Sequence, residues 1–203
     1  MNIQSDENTA SDKRVKIIVT ALELFVNQGL QQTSMAQISK VSKVAVGTIY
    51  HHFESKDELV QEIYIHIKKS FGKATLFSES EGKYTFKERF WIKMKKSYDF
   101  FAQHPFYFLF DEMHNHSPLI SKQLREEATK YYQESYDLIN EGIEKDIFSS
   151  KHIHIIGPWV YNAISTLIKI KINNEKELPE EDLKDFIKMT WNGITSLHPS
   201  SEK

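Results

Sequence analysis

Between Asp12 and Leu59 the sequence stops and restarts a helix several times, and nothing constrains the fold more. Asp12 can cap a first helix, and Val15, Ile18, Leu22 and Phe25 recur at three- to four-residue spacing through Gln28. Gly29 then supplies the left-handed C-cap that ends it. Thr33 and Ser34 open a second helix, with Ser34 and Gln37 at capping-box spacing and Met35, Ile38 and Val41 turned inward. That helix stops near Ser42-Lys43. A third covers about Val46 to His52, with Ile49 inward and Phe53 sealing the exit. Ser55 and Glu58 form a second capping box, and the helix they start carries the stripe Leu59, Ile63 and Ile67. Three short helices and the beginning of a long fourth thus make one unit, expected to end near Ser70.

The remainder also reads as helix. Thr75 to Tyr84 is rich in Ser, Gly and Glu and is expected to be a loop. A helix from about Phe86 to Gln103 carries Phe90, Met94, Tyr98 and Phe101, and His104-Pro105 breaks it before a short aromatic helix, Phe106 to His114. Ser117-Pro118 is expected to open one long helix to about Asp146, with Leu124, Ala128, Tyr131, Tyr132, Ser135, Leu138 and Ile139 inward. Pro158 sits in the first turns of the next, which reaches about Ile172. Pro179 and Glu180-Glu181-Asp182 mark the start of the last, since both suit a first helical turn. Ile168, Ile170 and Ile172 alternate with lysines as a strand would, but a lone strand has no hydrogen-bonding partner, so the segment is read as helix. The fold class is all-α: a polar tail over 1–11, expected to be disordered, a three-helix unit over 12–70, and a larger helical domain over 71–203.

Composition narrows the chemistry. Among 203 residues there is no cysteine, which excludes disulfides and thiolate metal sites and fits a cytoplasmic protein. No apolar run approaches the roughly 18 residues that a membrane-spanning helix needs, and the polar opening segment does not resemble a targeting leader. The formal net charge of −2 argues against nucleic acid only if its distribution is ignored. Between Ser11 and Lys56, the basic Lys13, Arg14, Lys16, Lys40, Lys43 and Lys56 outnumber the acidic Asp12, Glu23 and Glu54, whereas Glu126-Glu127 and Glu180-Glu181-Asp182 lie farther on.

Gly47-Thr48-Ile49-Tyr50-His51-His52 places a hydroxyl, a phenol and two imidazoles on barely two helical turns behind a tight turn. A short helix with small and hydrogen-bonding side chains so placed is what reading the major groove requires. Leu22-Glu23-Leu24-Phe25, Gly29, Thr33-Ser34-Met35, Ile38, Val44 and Gly47-Thr48-Ile49-Tyr50, with Phe53, Lys56 and Leu59, resemble the TetR family of transcriptional repressors over about residues 12 to 64. The family usually has Gly where Lys43 stands and a capping Ser or Thr where Ala45 stands. Lys43 is therefore expected to hold a positive φ, and the third helix to lack a side-chain cap.

The resemblance implies a helix-turn-helix DNA-binding domain followed by a ligand-binding and dimerisation domain. Its DNA-facing residues would be Thr33, Ser34, Lys43, Val46, Gly47, Thr48, Tyr50, His51, His52 and Lys56. Gly47 lets the helix approach closely, Thr48 offers a hydroxyl and a methyl, and His51 and His52 can donate to base edges or phosphate. Tyr50 and Lys56 reach backbone phosphates by resemblance. Thr33 and Ser34 could equally serve as caps alone. The partners implied are a palindromic operator in double-stranded DNA, a second copy of the chain held through the last two helices, and a small apolar or amphipathic inducer. The apolar stripes for dimerisation include Trp159, Ile164, Leu167, Phe186, Ile187, Trp191 and Ile194. Met94, Tyr98, Phe101, Phe110, Met113, Tyr131, Tyr132 and Trp159 are candidates to line the inducer pocket, with plain core packing as the competing reading.

Two further classes compete. A helical interaction module without DNA would show no salt-dependent duplex binding. An enzyme would need a motif, yet there is no Gly-rich phosphate loop, Gly-x-Ser-x-Gly elbow or His-Glu-x-x-His zinc signature. His114-Asn115-His116 with Asp111, and His152-Ile153-His154, are the metal candidates, but x-spaced histidines on a helix are expected to point apart. No metal, cofactor or catalytic residue is expected.

Overall fold

The structure, a computed structural model, describes the backbone of residues 3–195 and the side chains of residues 12–195. Gly29, at φ 86°, donates its backbone N–H to Phe25 O at 3.0 Å and ends α1 (Ile3–Gln28). The second helix, α2 (Met35–Ser42), starts from a complete capping box in which Ser34 Oγ accepts from Gln37 N. Then follow α3 (Val46–His52) and α4 (Lys56–Thr75). At the head of α4, Ser55 Oγ accepts from Glu58 N at 3.1 Å, while the Glu58 carboxylate accepts from Glu54 N at 2.6 Å. Ile17, Ile18, Leu22 and Phe25 pack in one core with Ile38, Ile49, Phe53 and Leu59, all at or below 1 % exposure.

Several expectations for this segment need correction. The α1 backbone begins at Ile3, so 3–11 are helical where a disordered tail was expected; Met1 and Asn2 lie outside the described residues. Nothing between Ile3 and Ser11 is Pro or Gly, so an established helix meets no stop there. Val15 and Val41 are exposed rather than inward, because the buried face runs through Ile17 and Ser42 with Val44 behind the turn. The fourth helix, expected to be long, runs to Thr75.

The chain divides into two compact units, Met1–Lys68 with Phe106–Ala128, and Lys69–Pro105 with Thr129–Lys203. A boundary was expected at residue 70, and it falls two residues away; the inclusion of 106–128 in the first unit was not expected. That return segment holds α6 (Pro105–His114) and α7 (Lys122–Ala128). Lys68 reaches across to the buried Asp111 at 2.6 Å, and Gln61 Nε2 donates to Leu119 O at 3.1 Å. These polar ties are invisible to apolar periodicity, which explains why the sequence assigns 106–128 elsewhere.

The long helix expected from Ser117-Pro118 to Asp146 is in fact three pieces. Residues 117–121 form turns, with Ile120 buried, and Ser121 rather than Ser117 caps α7 by accepting from Leu124 N at 3.0 Å. A 3-10 segment, Thr129–Tyr132, then separates α7 from α8 (Gln133–Glu144). At this break Tyr131 O lies only 1.7 Å from where a Cβ on Gly72 would stand, so α4 admits that carbonyl because residue 72 has no side chain.

The second unit is built on α5 (Phe86–Gln103), α8, α9 (Ile153–Asn174) and α10 (Glu180–Ile194). Phe90, Met94, Tyr98 and Phe101 of α5 are buried, as are Ile164, Leu167 and Ile168 of α9 and Leu183 and Ile187 of α10. Trp191 packs its ring 5.2 Å from that of Phe90 and 6.5 Å from that of Phe148. The Ile168–Ile172 stretch is helical in α9, and Pro179 is the N-cap of α10. The 76–85 connection is a loop with one 3-10 turn, Glu81–Lys83, and lysines of α5 fasten it. Buried Lys93 pairs with Glu134 and donates to Thr75 O at 2.6 Å, and Lys96 donates to Leu76 O and pairs with Glu81, each at 2.7 Å. Among the described residues no helix is long and apolar enough to cross a membrane.

Candidate nucleic-acid interface

The turn between α2 and α3 shows how this sequence tolerates its unusual residues. Lys43 sits at φ 56° and ψ 29°, a left-handed position that glycine fills without strain. Two hydroxyls offset that strain. Ser39 Oγ donates to Val44 O at 2.7 Å, and Ser42 Oγ accepts from Val44 N at 3.3 Å. Sequence reasoning missed both serines; their hydrogen-bonding capacity, one turn apart ahead of a positive-φ residue, was the available signal. Ala45 gives α3 no side-chain cap, as expected.

On α3 the side chains divide cleanly. Ile49 is fully buried and Phe53 closes the helix below it. Val46, Gly47, Tyr50 and His51 are exposed, and Thr48 and His52 are half-buried. Gly47 has an ordinary helical φ, and a Cβ built on it would meet nothing within 4 Å. Neither backbone conformation nor internal packing requires a glycine there. The His51 and His52 rings stand 5.6 Å apart, and His52 lies 6.1 Å from the Phe53 ring. Partial burial pushes the His52 pKa below its ordinary 6.5, and His51, Arg14 and Lys13 add charge repulsion in the same direction.

The other expected contact residues fall into two groups. Lys43 and Ser34 are exposed. Thr33 is 1 % exposed, and its hydroxyl donates to Gly29 O at 2.9 Å, which makes it a clamp on the α1–α2 turn. Lys56 Nζ donates to Leu30 O at 2.9 Å and Thr33 O at 3.3 Å on the same turn. An ammonium has three donors, so this anchoring leaves one for a phosphate.

The residues proposed for a small-molecule pocket are divided between the two units, Phe110 and Met113 in the first and the others in the second. Met94, Tyr98 and Phe101 share the buried face of α5, where Phe101 stacks 5.4 Å from Phe71 and Tyr132 lies 6.1 Å from the same ring. Lys69 and Lys130 each lie 5.0 Å from the Tyr131 ring. Phe110 is buried in the other unit against His114, and Met113 is 51 % exposed. Trp159 is 55 % exposed on an open groove of α9 and α10 that also includes Ile155, Ala163, Phe186 and Met189. His152 and His154 differ from expectation as well. Their rings are 5.1 Å apart because His152 is the extended N-cap residue rather than part of α9.

Against this geometry the relatives are informative. The sequence profile of the bacterial regulatory proteins of the tetR family matches residues 17–63, the span from the core of α1 to the first turns of α4. The HTH-type transcriptional regulator AcrR of Shigella flexneri is 37% identical over 67 residues, 33% of this chain and 31% of AcrR. A TetR-family transcription regulator from Marinobacter aquaeolei has the same fold, with a TM-score of 0.85, 15% identity and coverage of 94% of this chain and 99% of that one. Residues 17–63 are a TetR-family helix-turn-helix region. Another HTH-type transcriptional regulator, QacR of Staphylococcus aureus, is similar to this chain over a longer span. It is 27% identical over 168 residues, covering 78% of this chain and 79% of QacR. The AcrR alignment spans under a third of that protein.

Proposed function

We propose that this chain is a TetR-family, ligand-responsive transcriptional regulator that binds a palindromic operator as a homodimer, represses, and is released by a small apolar or amphipathic inducer. The observation that carries this reading is the outer face of α3. Its core-facing residue is hidden, its exposed residues are small or hydrogen-bonding, and Gly47 interrupts it where the fold has no use for a glycine. A glycine inside a helix costs about 0.5–1 kcal/mol relative to alanine. An unexplained glycine on an exposed face fits a surface against which another body closes.

In this reading Thr48, His51 and His52 meet base edges or phosphate, and Tyr50, Lys43 and Lys56 meet phosphates. Ser34 and Thr33 hold the turn that presents Lys56. The exposed apolar groove of α9 and α10, with Trp159 at its centre, is the dimerisation face. Met94, Tyr98, Phe101 and Tyr132 are the inducer-facing residues; a ligand acts by binding the conformation with the lower operator affinity more tightly.

The test is selection of duplexes from a random pool, followed by binding across a salt series. The expected result is a palindromic consensus whose log affinity falls linearly with log salt, as counterion release requires. No duplex binding even at low ionic strength excludes the reading.

A further inference from the structure

We propose that Val46 reads a thymine methyl group on the major-groove edge of the operator; this inference rests on the DNA-binding reading above. Val46 is the first residue of α3, and 44 % of it is exposed. The neighbouring apolar residues have internal work. Val44 is 7 % exposed and fastens the turn, and Ile49 is fully buried. Val46 has no comparable place in the core. A β-branched side chain in a first turn adds nothing to helix propensity and is not a cap. A polar residue would serve the uncapped start of α3 better, because Ala45 leaves its first N–H groups without a side-chain acceptor.

The neighbour supplies the second half of the argument. Gly47 follows directly and has open space beyond its Cα, so the surface of α3 is lowest beside Val46. A duplex that closes on Gly47 brings base edges within reach of the two Val46 methyl groups. The four standard base pairs present hydrogen-bond donors and acceptors in the major groove, and one apolar group among them, the C5-methyl of thymine. An isopropyl group desolvated there has that methyl as its apolar complement. Thr48, half-buried and bearing a hydroxyl, is less suited to the same contact.

The methyl can be removed without altering any hydrogen-bonding edge. Each thymine of the selected operator is replaced in turn by deoxyuridine, and binding is measured for the wild type and for Val46→Ala. One thymine in each half-site is expected to lose about fourfold in affinity when replaced, the equivalent of one buried methyl-sized group. Val46→Ala, which changes both protomers, is expected to bind the unmodified operator about as weakly as the wild type binds an operator with deoxyuridine at that position in both half-sites, and to be indifferent to deoxyuridine there. A duplex that binds tightly with a flat deoxyuridine scan overturns the inference while leaving the regulator reading intact. A penalty that persists undiminished in Val46→Ala assigns the methyl to another residue and also overturns it. If no duplex is bound at all, both fail together.

Discussion

Gly47 separates two demands that usually coincide at a single residue. For the free protein, alanine is the better choice, because the space is open and φ is ordinary. Gly47→Ala should therefore raise the midpoint of urea unfolding, by about 0.5–1 kcal/mol in stability. For a protein whose α3 rests on DNA, the same methyl group intrudes at the surface of closest approach. Operator binding should weaken, by roughly tenfold for an energetic cost of about 1.4 kcal/mol. A more stable variant that binds its operator as well as the wild type would remove Gly47 from the contact. Lys43 is the complementary case. Its left-handed φ is strained, yet the Ser39 and Ser42 hydroxyls hold the turn without the family's glycine.

At the level of the element, α3 carries two adjacent histidines, and its titration should couple to binding. Burial and the nearby Arg14 and Lys13 keep His52 neutral to lower pH than usual in the free protein. In the proposed operator complex, phosphates would offset those positive charges and favour the imidazolium, so binding would take up a proton. Operator affinity should accordingly rise as pH falls from about 8 through the ordinary histidine value and below. Fold stability moves the other way. A depressed His52 pKa contributes stability above its unfolded value, and that stability is lost as pH falls through the folded one. His52→Asn should reduce the pH slope of operator binding; an unchanged slope in that variant would exclude the His52 ring.

The helix starts and stops in this region were legible because each rests on one local interaction: Gly29 at positive φ, Ser34 with Gln37, Ser55 with Glu58. So was the exposed side of α3, where exposure follows directly from which residue the core takes. The broken α7–α8 stretch was not legible. Its pattern is helical throughout, and the break is associated with the close approach of Tyr131 O to Gly72, residues far apart in sequence. The return of 106–128 to the first unit is hidden for the same reason, since ties such as Lys68–Asp111 join distant segments. The pocket candidates were read from aromatic spacing alone, which cannot separate Met94, inside, from Met113 and Trp159, outside.

For the whole molecule, the decisive number is how many reading helices engage one DNA duplex. A seven-residue helix such as α3 spans only a few base pairs, whereas a two-fold pair with suitably spaced reading heads reads two half-sites in successive major grooves. The second unit exposes apolar side chains that its own core leaves uncovered: Ile155 at 49 %, Trp159 at 55 % and Met189 at 69 %, around one groove of α9 and α10. Ile164, Leu167, Ile187 and Ile194 of the same helices are already buried, so the outward stripe is additional to what the monomer needs. Trp159 lies beside Gly193, with its ring 3.4 Å from the position of a Cβ there. Trp159→Glu places a carboxylate in this face without touching the core. It should leave the far-ultraviolet helical signal intact, convert a dimer to a monomer in sedimentation equilibrium, and reduce affinity for the full palindrome by about 10²-fold or more through loss of the second, effectively intramolecular contact. Affinity for an isolated half-site should hardly change. A variant that remains dimeric and binds the full palindrome normally would place the two-fold contact elsewhere and leave the groove to a different partner.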